Sequence, residues 1–261
     1  MRISRLFRKP VPLLYCAFFL VFTILPNVSS AETNGRAVKI LGKIDNMWRG
    51  ESSKAVISMK VKTAHYTRTM KMEAWSKGKD KTLVRITYPL KEKGTTTLKS
   101  GESIYTYLPK TDRTIRLTSG MMTGSWMGSH FTNDDLVKES RLTDDYNVSI
   151  AFEGMRDGQN VIEFTLLPKE EAAVVWGKID LTVIAIKNIP LREVYYDEDM
   201  EPVRDILFEK VKNLGGREIP SVMKVLPKNK PSEFTELVYE TMEFGNQIND
   251  SFFSLSRLRR K

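Results

Sequence analysis

Apolar positions change their period once along this chain, and the change separates a helix from a long run of strands. Ala37, Ile40, Leu41, Ile44, Met47 and Trp48 fall at helical spacing, which predicts an amphipathic helix of about four turns with one apolar stripe. Gly50 ends it. From there the period is two. Ala55, Ile57, Met59 and Val61 alternate with Val56, Ser58, Lys60 and Lys62. Met70, Met72 and Ala74 alternate with Thr69, Lys71 and Glu73, and Val84, Ile86 and Tyr88 with Leu83, Arg85 and Thr87. Each segment reads as a strand with one sheltered and one wet face, the mark of an antiparallel sheet.

The second half repeats this pattern. Strands are predicted near 148–153, 160–167, 178–184, 191–197, 202–213, 217–226 and 235–244. Asp157-Gly158 and Gly215-Gly216 are two-residue hairpin turns of the favoured kind. Lys77-Gly78-Lys79-Asp80, Ser100-Gly101-Glu102 and Pro109-Lys110-Thr111-Asp112 supply further turn chemistry. Roughly eleven strands with few helices imply one strongly curved sheet or a barrel. No internal repeat, low-complexity tract or separating linker interrupts the run, so a single domain is expected over residues 32–261.

One segment breaks the strand rhythm. Between Ser119 and Phe131, Gly120, Gly124 and Gly128 interleave with Met121, Met122, Met127, Trp126 and Phe131. It reads as a mobile loop bearing large apolar side chains, which would be costly to leave bare in water. Thr132 or Asn133 then caps a short helix, with Asp134 and Asp135 favourable in its first turn.

The N-terminus carries an address. Arg2, Arg5, Arg8 and Lys9 precede an apolar run from Val11 to Leu25, Pro26 breaks it, and Ser29-Ser30-Ala31 supplies small residues. This is the form of a secretory signal peptide over residues 1–31. The apolar run is shorter than the roughly 20 residues that span a bilayer. Cys16, the sole cysteine, sits inside that run behind the bulky Tyr15, so it is not a lipidation site. The exported chain then has no cysteine, which suits an oxidising compartment. Loss of Arg2, Arg5, Arg8 and Lys9 lowers the net charge from +9 to +5. With export, that argues against nucleic-acid binding. Apolar residues at 41% and charged residues at 28% exclude a disordered chain and a multi-span membrane protein.

The order of features resembles a known family. After the signal, the helix and the meander come Ile104-Tyr105-Thr106-Tyr107-Leu108-Pro109 and Arg113 to Leu117. Ser125-Trp126-Met127-Gly128-Ser129-His130-Phe131-Thr132-Asn133-Asp134-Asp135-Leu136 follows. Then come Leu214-Gly215-Gly216-Arg217-Glu218-Ile219-Pro220 and Asp250-Ser251-Phe252-Phe253-Ser254 with Leu258. From about Ala37 to Leu258 the chain is similar to the LolA-like family of periplasmic outer membrane lipoprotein-sorting proteins, in the branch associated with RND-type (MMPL) exporters. His130 stands where the family's run usually has an acid, and Tyr105 where a tryptophan is common. The resemblance implies a mainly β (α+β) fold: an incomplete antiparallel β-barrel, LolA/LolB-like, closed on one side by helices. It further implies a non-enzymatic, monomeric carrier without cofactor. Such a carrier holds the acyl chains of a lipid or lipoprotein between membranes and works with an inner-membrane RND-type transporter.

The residues suit that task. Burying an acyl chain is worth about 0.8 kcal/mol per CH₂, so sixteen carbons exposed to water cost on the order of 12 kcal/mol. A carrier needs a concave apolar wall, and unbranched thioethers adapt to flexible cargo. The cavity residues expected from alternation and from the family picture are Ile57, Met59, Met70, Met72, Val84 and Ile86, with Trp126, Met127 and Phe131 as a gate. The competing reading makes the strand methionines core filler. A sensor or regulatory adaptor that binds a protein partner, with a filled core, is the alternative function. Arg257, Arg259, Arg260 and Lys261 read as a solvated tail or a contact for an anionic membrane surface.

Other chemistries lack support. Ser129 and His130 are adjacent and diverge on an extended chain, and no Gly-x-Ser-x-Gly elbow is present. His65 and His130 match no zinc spacing. Met70-Lys71-Met72 and Met121-Met122 offer soft donors for Cu(I), but alternating methionines on an apolar strand face read as packing.

Overall fold

A computed structural model describes residues 30–138 and 142–259. The predicted signal peptide lies outside them except for Ser30 and Ala31, which begin the first helix. That helix, α1 (Ser30–Asp45), buries Ala37, Ile40, Leu41 and Ile44 on one stripe. It ends five residues before Gly50, whose φ of +59° suits glycine. Between them the chain turns, placing Trp48 inward with its Nε1 donating to Pro220 O at 3.2 Å.

Among the described residues thirteen strands follow, all in one antiparallel sheet. In chain order they are β1 (Ser52–Lys62), β2 (Thr67–Lys77), β3 (Lys81–Tyr88), β4 (Thr96–Ser100), β5 (Ser103–Leu108) and β6 (Arg113–Arg116). The second set comprises β7 (Tyr146–Arg156), β8 (Gln159–Pro168), β9 (Lys178–Ile184), β10 (Ile189–Tyr196), β11 (Pro202–Leu214), β12 (Arg217–Pro227) and β13 (Phe234–Phe244). The sheet runs β6-β5-β4-β3-β2-β1-β13-β12-β11-β10-β9-β8-β7. It is two meanders joined where β1 pairs with β13, and it stays open, a half-barrel with β6 and β7 as edges. The predicted hairpins at Asp157-Gly158 and Gly215-Gly216 close on the pairs Arg156↔Gln159 and Leu214↔Arg217.

The count exceeds the expected eleven because β4 and β6 carry no alternation to read. Thr96, Thr97, Leu98 and Lys99 of β4 are all buried, sheltered on both faces. The outer face there is covered by the chain's end, where Phe253 and Leu258 pack on Leu83 and Leu98. Leu258 belongs to α4 (Leu255–Leu258). Arg257 is therefore not part of a solvated tail, while Arg260 and Lys261 lie outside the described residues. The Arg257 guanidinium lies 4.7 Å from the Phe252 ring, and its carbonyl accepts from Arg85 at 2.9 Å.

Edge strands β6 and β7 are joined by residues 117–145, which must cross from one rim of the sheet to the other. The crossover contains two 3₁₀ turns (Ser119–Met121 and Trp126–Gly128), α2 (Asn133–Lys138) and α3 (Leu142–Asp145). With α1, which packs on β7 and α3, it covers the concave face.

Candidate functional site

The concave face is built by register. Across β13-β1-β2-β3, one row reads Tyr239, Ile57, Met72 and Ile86, and the next reads Met242, Ala55, Ala74 and Val84. Ala55 and Ala74 sit opposite each other, so the wall is thin where the rows meet. A bulge at Glu240 keeps Tyr239 and Met242 both on the inner side. From the other meander, Arg204, Ile206 and Phe208 of β11 and Glu193 and Tyr195 of β10 turn inward.

Between this wall and its cover lies a cavity of about 180 Å³. By the same measure one water needs about 10–15 Å³, so this is no packing defect. Trp48, Phe208 and Tyr239 form an aromatic group on it, with Trp48 5.7 Å from Phe208 and 6.4 Å from Tyr239 between ring centroids.

The structure divides the predicted residues. Ile57, Met72 and Val84 of the expected wall line the cavity, as do Trp126 and Phe131 of the expected gate. Met59, Met70 and Ile86 do not. Met59 and Met70 are opposite each other on β1 and β2, both fully buried in the packed core, and Ile86 is buried in the same core. Met127 is half-buried against the core, at a left-handed φ of +50°. The strand alternation was sufficient to put all six on one face. It could not say where along each strand the hollow lies.

The crossover loop is a closed unit rather than an open turn. Trp126 N donates to Phe131 O at 2.8 Å, and Ser129 Oγ to Trp126 O at 2.7 Å. Its rim is tied down on several strands: Trp126 Nε1 donates to Thr97 Oγ1 at 3.3 Å, and the Tyr66 hydroxyl to Gly128 O at 3.1 Å. Arg68 donates to Met127 O. His130 meets Thr235 Oγ1 through Nδ1 at 2.9 Å and Glu233 through Nε2 at 3.0 Å. That bond helps hold the Glu233 carboxyl below its usual range. These partners make His130 a tether, and Ser129 Oγ is engaged by Trp126 O and Phe131 N instead.

Thr132 caps α2 reciprocally: its Oγ1 accepts from Asp135 N at 3.2 Å, and Asp135 Oδ2 accepts from Thr132 N at 2.6 Å. The same Asp135 takes both terminal nitrogens of Arg204, at 2.8 and 2.6 Å. Arg204 also donates to His130 O at 3.1 Å, and its guanidinium lies 4.3 Å from the rings of both Trp176 and Tyr195. One buried cation thus clamps the crossover to β11.

Two carboxyls on the cavity wall went unpredicted because neither lies in an apolar run: Asp45 at the end of α1, and Glu193. Burial pushes the Asp45 carboxyl up to about 7; Lys79 opposes the rise, while Glu193 and Asp144 add to it. Burial likewise pushes Glu193 up to about 7, against the pull of the Tyr195 hydroxyl, 2.7 Å away, and of Arg204. Among the described residues no group of three or more His, Cys, Asp or Glu is placed to hold a metal ion, and no helix is long and apolar enough to cross a membrane.

A family model with the description "Uncharacterized protein" matches residues 78–260. Several solved structures share the fold. A DUF1329 family protein from Desulfovibrio piger superposes with a TM-score of 0.78 at 20% identity, over 87% of this chain and 99% of that one. A LolA superfamily protein from Nitrosomonas europaea gives 0.73 at 21% identity, over 85% and 98%. The chain belongs to the family of that matching model, and its fold is LolA-like. A protein from Vibrio parahaemolyticus described as an outer membrane lipoprotein-sorting protein domain is also similar, with a TM-score of 0.73, 20% identity, and coverage of 87% and 100%. A comparison with curated proteins finds no match. In this LolA-like chain the crossover and α1 form the lid of the half-barrel, and the Arg204–Asp135 clamp joins lid to wall.

Proposed function

We propose that this LolA-like protein is a periplasmic carrier that holds the acyl chain of a lipid or lipoprotein in the cavity and hands it between membranes, without catalysis. An inner-membrane RND-type transporter is the proposed partner. The observation that carries the reading is the hollow itself, walled by Ile57, Met72, Val84, Phe208 and Tyr239 in a protein whose concave side could have packed solid. A covered apolar cavity removes a chain from water at the about 0.8 kcal/mol per CH₂ that makes unaided crossing slow. Trp126 and Phe131 stand where the lid meets the cavity and serve as the gate in this scheme. The leader at residues 1–31 supplies the route to the periplasm.

The test is titration of the protein, freed of lipid, with a fluorescent fatty acid. Saturable uptake with a blue-shifted emission is expected, and Ala55→Phe, which projects a ring into the hollow, is expected to abolish it. No uptake by the wild type, or uptake unchanged in Ala55→Phe, contradicts the reading.

A further inference from the structure

The cavity wall along β1–β3 is apolar except for Ser53, Ser76 and Thr82, and its polar lining further includes Arg49, Asp135 in its clamp with Arg204, and two more acids, Asp45 on α1 and Glu193 on β10. A carboxyl in an apolar wall is costly unless it is paired or hydrogen-bonded. Neither acid forms an ion pair among the described residues: Arg204, which pulls on Glu193, is committed to Asp135, and Lys79, which opposes the rise at Asp45, is bridged to Asp144 at 3.2 Å. Arg49 donates to Gly78 O at 3.2 Å and to Thr82 Oγ1 at 2.7 Å. Asp45 is 7% exposed, and its Oδ2 has no hydrogen-bond partner among the described residues. Trp176, 9% exposed and on the same wall, has an unpartnered Nε1. Glu193 is met by the Tyr195 hydroxyl. The site therefore combines carboxyl oxygens that accept with an indole that donates, and all three side chains line the cavity proposed to hold an acyl chain.

We propose that Asp45 and Glu193, with Trp176, bind the head of the amphiphile whose chain lies along β1–β3, and that this head is a hydrogen-bond donor without negative charge, a hydroxyl or an ammonium. This rests on the carrier reading and names the head that reading left open. A hydroxyl would donate to a carboxyl and accept from the indole. An ammonium would donate to both carboxyls. A carboxylate or phosphate head would lie beside two acids and meet repulsion instead.

Trp48, Trp126 and Trp176 line the cavity, so intrinsic fluorescence reports its filling. The full exported chain is titrated at pH 8 with decylammonium, decanol and decanoate, each below its micelle concentration. Decylammonium and decanol are expected to bind at least tenfold more tightly than decanoate. Asp45→Asn and Glu193→Gln, each checked for folding by circular dichroism, are expected to reduce that ratio below threefold while keeping chain binding. A lead for decylammonium over decanol assigns the effect to charge; equal affinities assign it to hydrogen bonding. Decanoate binding as tightly as the others overturns the head assignment and leaves the carrier reading standing, with water then serving the two acids. A ratio unchanged in both variants does the same. Failure of all three amphiphiles to bind overturns both.

Discussion

Asp45 should make stability fall as pH rises. Its ordinary carboxyl range lies near 4, and burial lifts it to about 7 in the folded chain, with Lys79 opposing and Glu193 and Asp144 reinforcing. Between those values the folded state holds a proton that the unfolded state has released. Stability therefore declines from about pH 4 to about pH 7, by ~4 kcal/mol at most from this group. Asp45→Asn is expected to raise the melting temperature above the wild type at pH 8 and to change it little at pH 4, as thermal denaturation at the two values will show; equal shifts would contradict the assignment. The methionines separate by position. Met59→Ala removes a fully buried side chain from packed core and should cost about 2–5 kcal/mol in urea unfolding, with fatty-acid uptake retained in the folded fraction. Sequence placed Met59, Met70 and Met72 together because alternation records only the face. Which of them meets empty space depends on what covers the sheet, and that is set by residues 117–145, far away in the chain.

At the scale of elements, the strands with one wet face were legible, and so were their hairpins. β4 was not, because Thr97 faces the lid through Trp126 while Leu98 faces the C-terminal segment; a strand covered on both sides loses its period-two signal. The glycine-rich crossover read as mobile because its tethers are long-range. His130 reaches Thr235, and Asp135 reaches Arg204, pairings invisible to local pattern. That clamp carries a prediction. Asp135→Asn leaves the Arg204 guanidinium, 3% exposed, without its counter-charge, and breaking a buried pair from one side costs about 3–5 kcal/mol. Hydrogen exchange should rise in residues 117–138 more than in β8 or β9. Uniform exchange across the sheet would mean that Arg204 supports the whole fold rather than the lid.

For the whole molecule, the helical and alternating spacings implied one strongly curved sheet or a barrel, because each strand's sheltered face must be buried against something, and the resemblance to the LolA-like family supplied the incomplete barrel. The β1–β13 pairing and the edge-to-edge crossover could not be derived from spacing; they belong to how the open thirteen-strand sheet curls over its apolar face. The hollow is the property on which the function turns. Its most direct test is native mass spectrometry of the protein purified from the cell envelope without detergent, before and after extraction with organic solvent. A bound mass in the range of a lipid, lost on extraction and absent from Ala55→Phe, is the result predicted here. A single unliganded mass from the envelope, together with no recovered acyl chains in the extract, would contradict it.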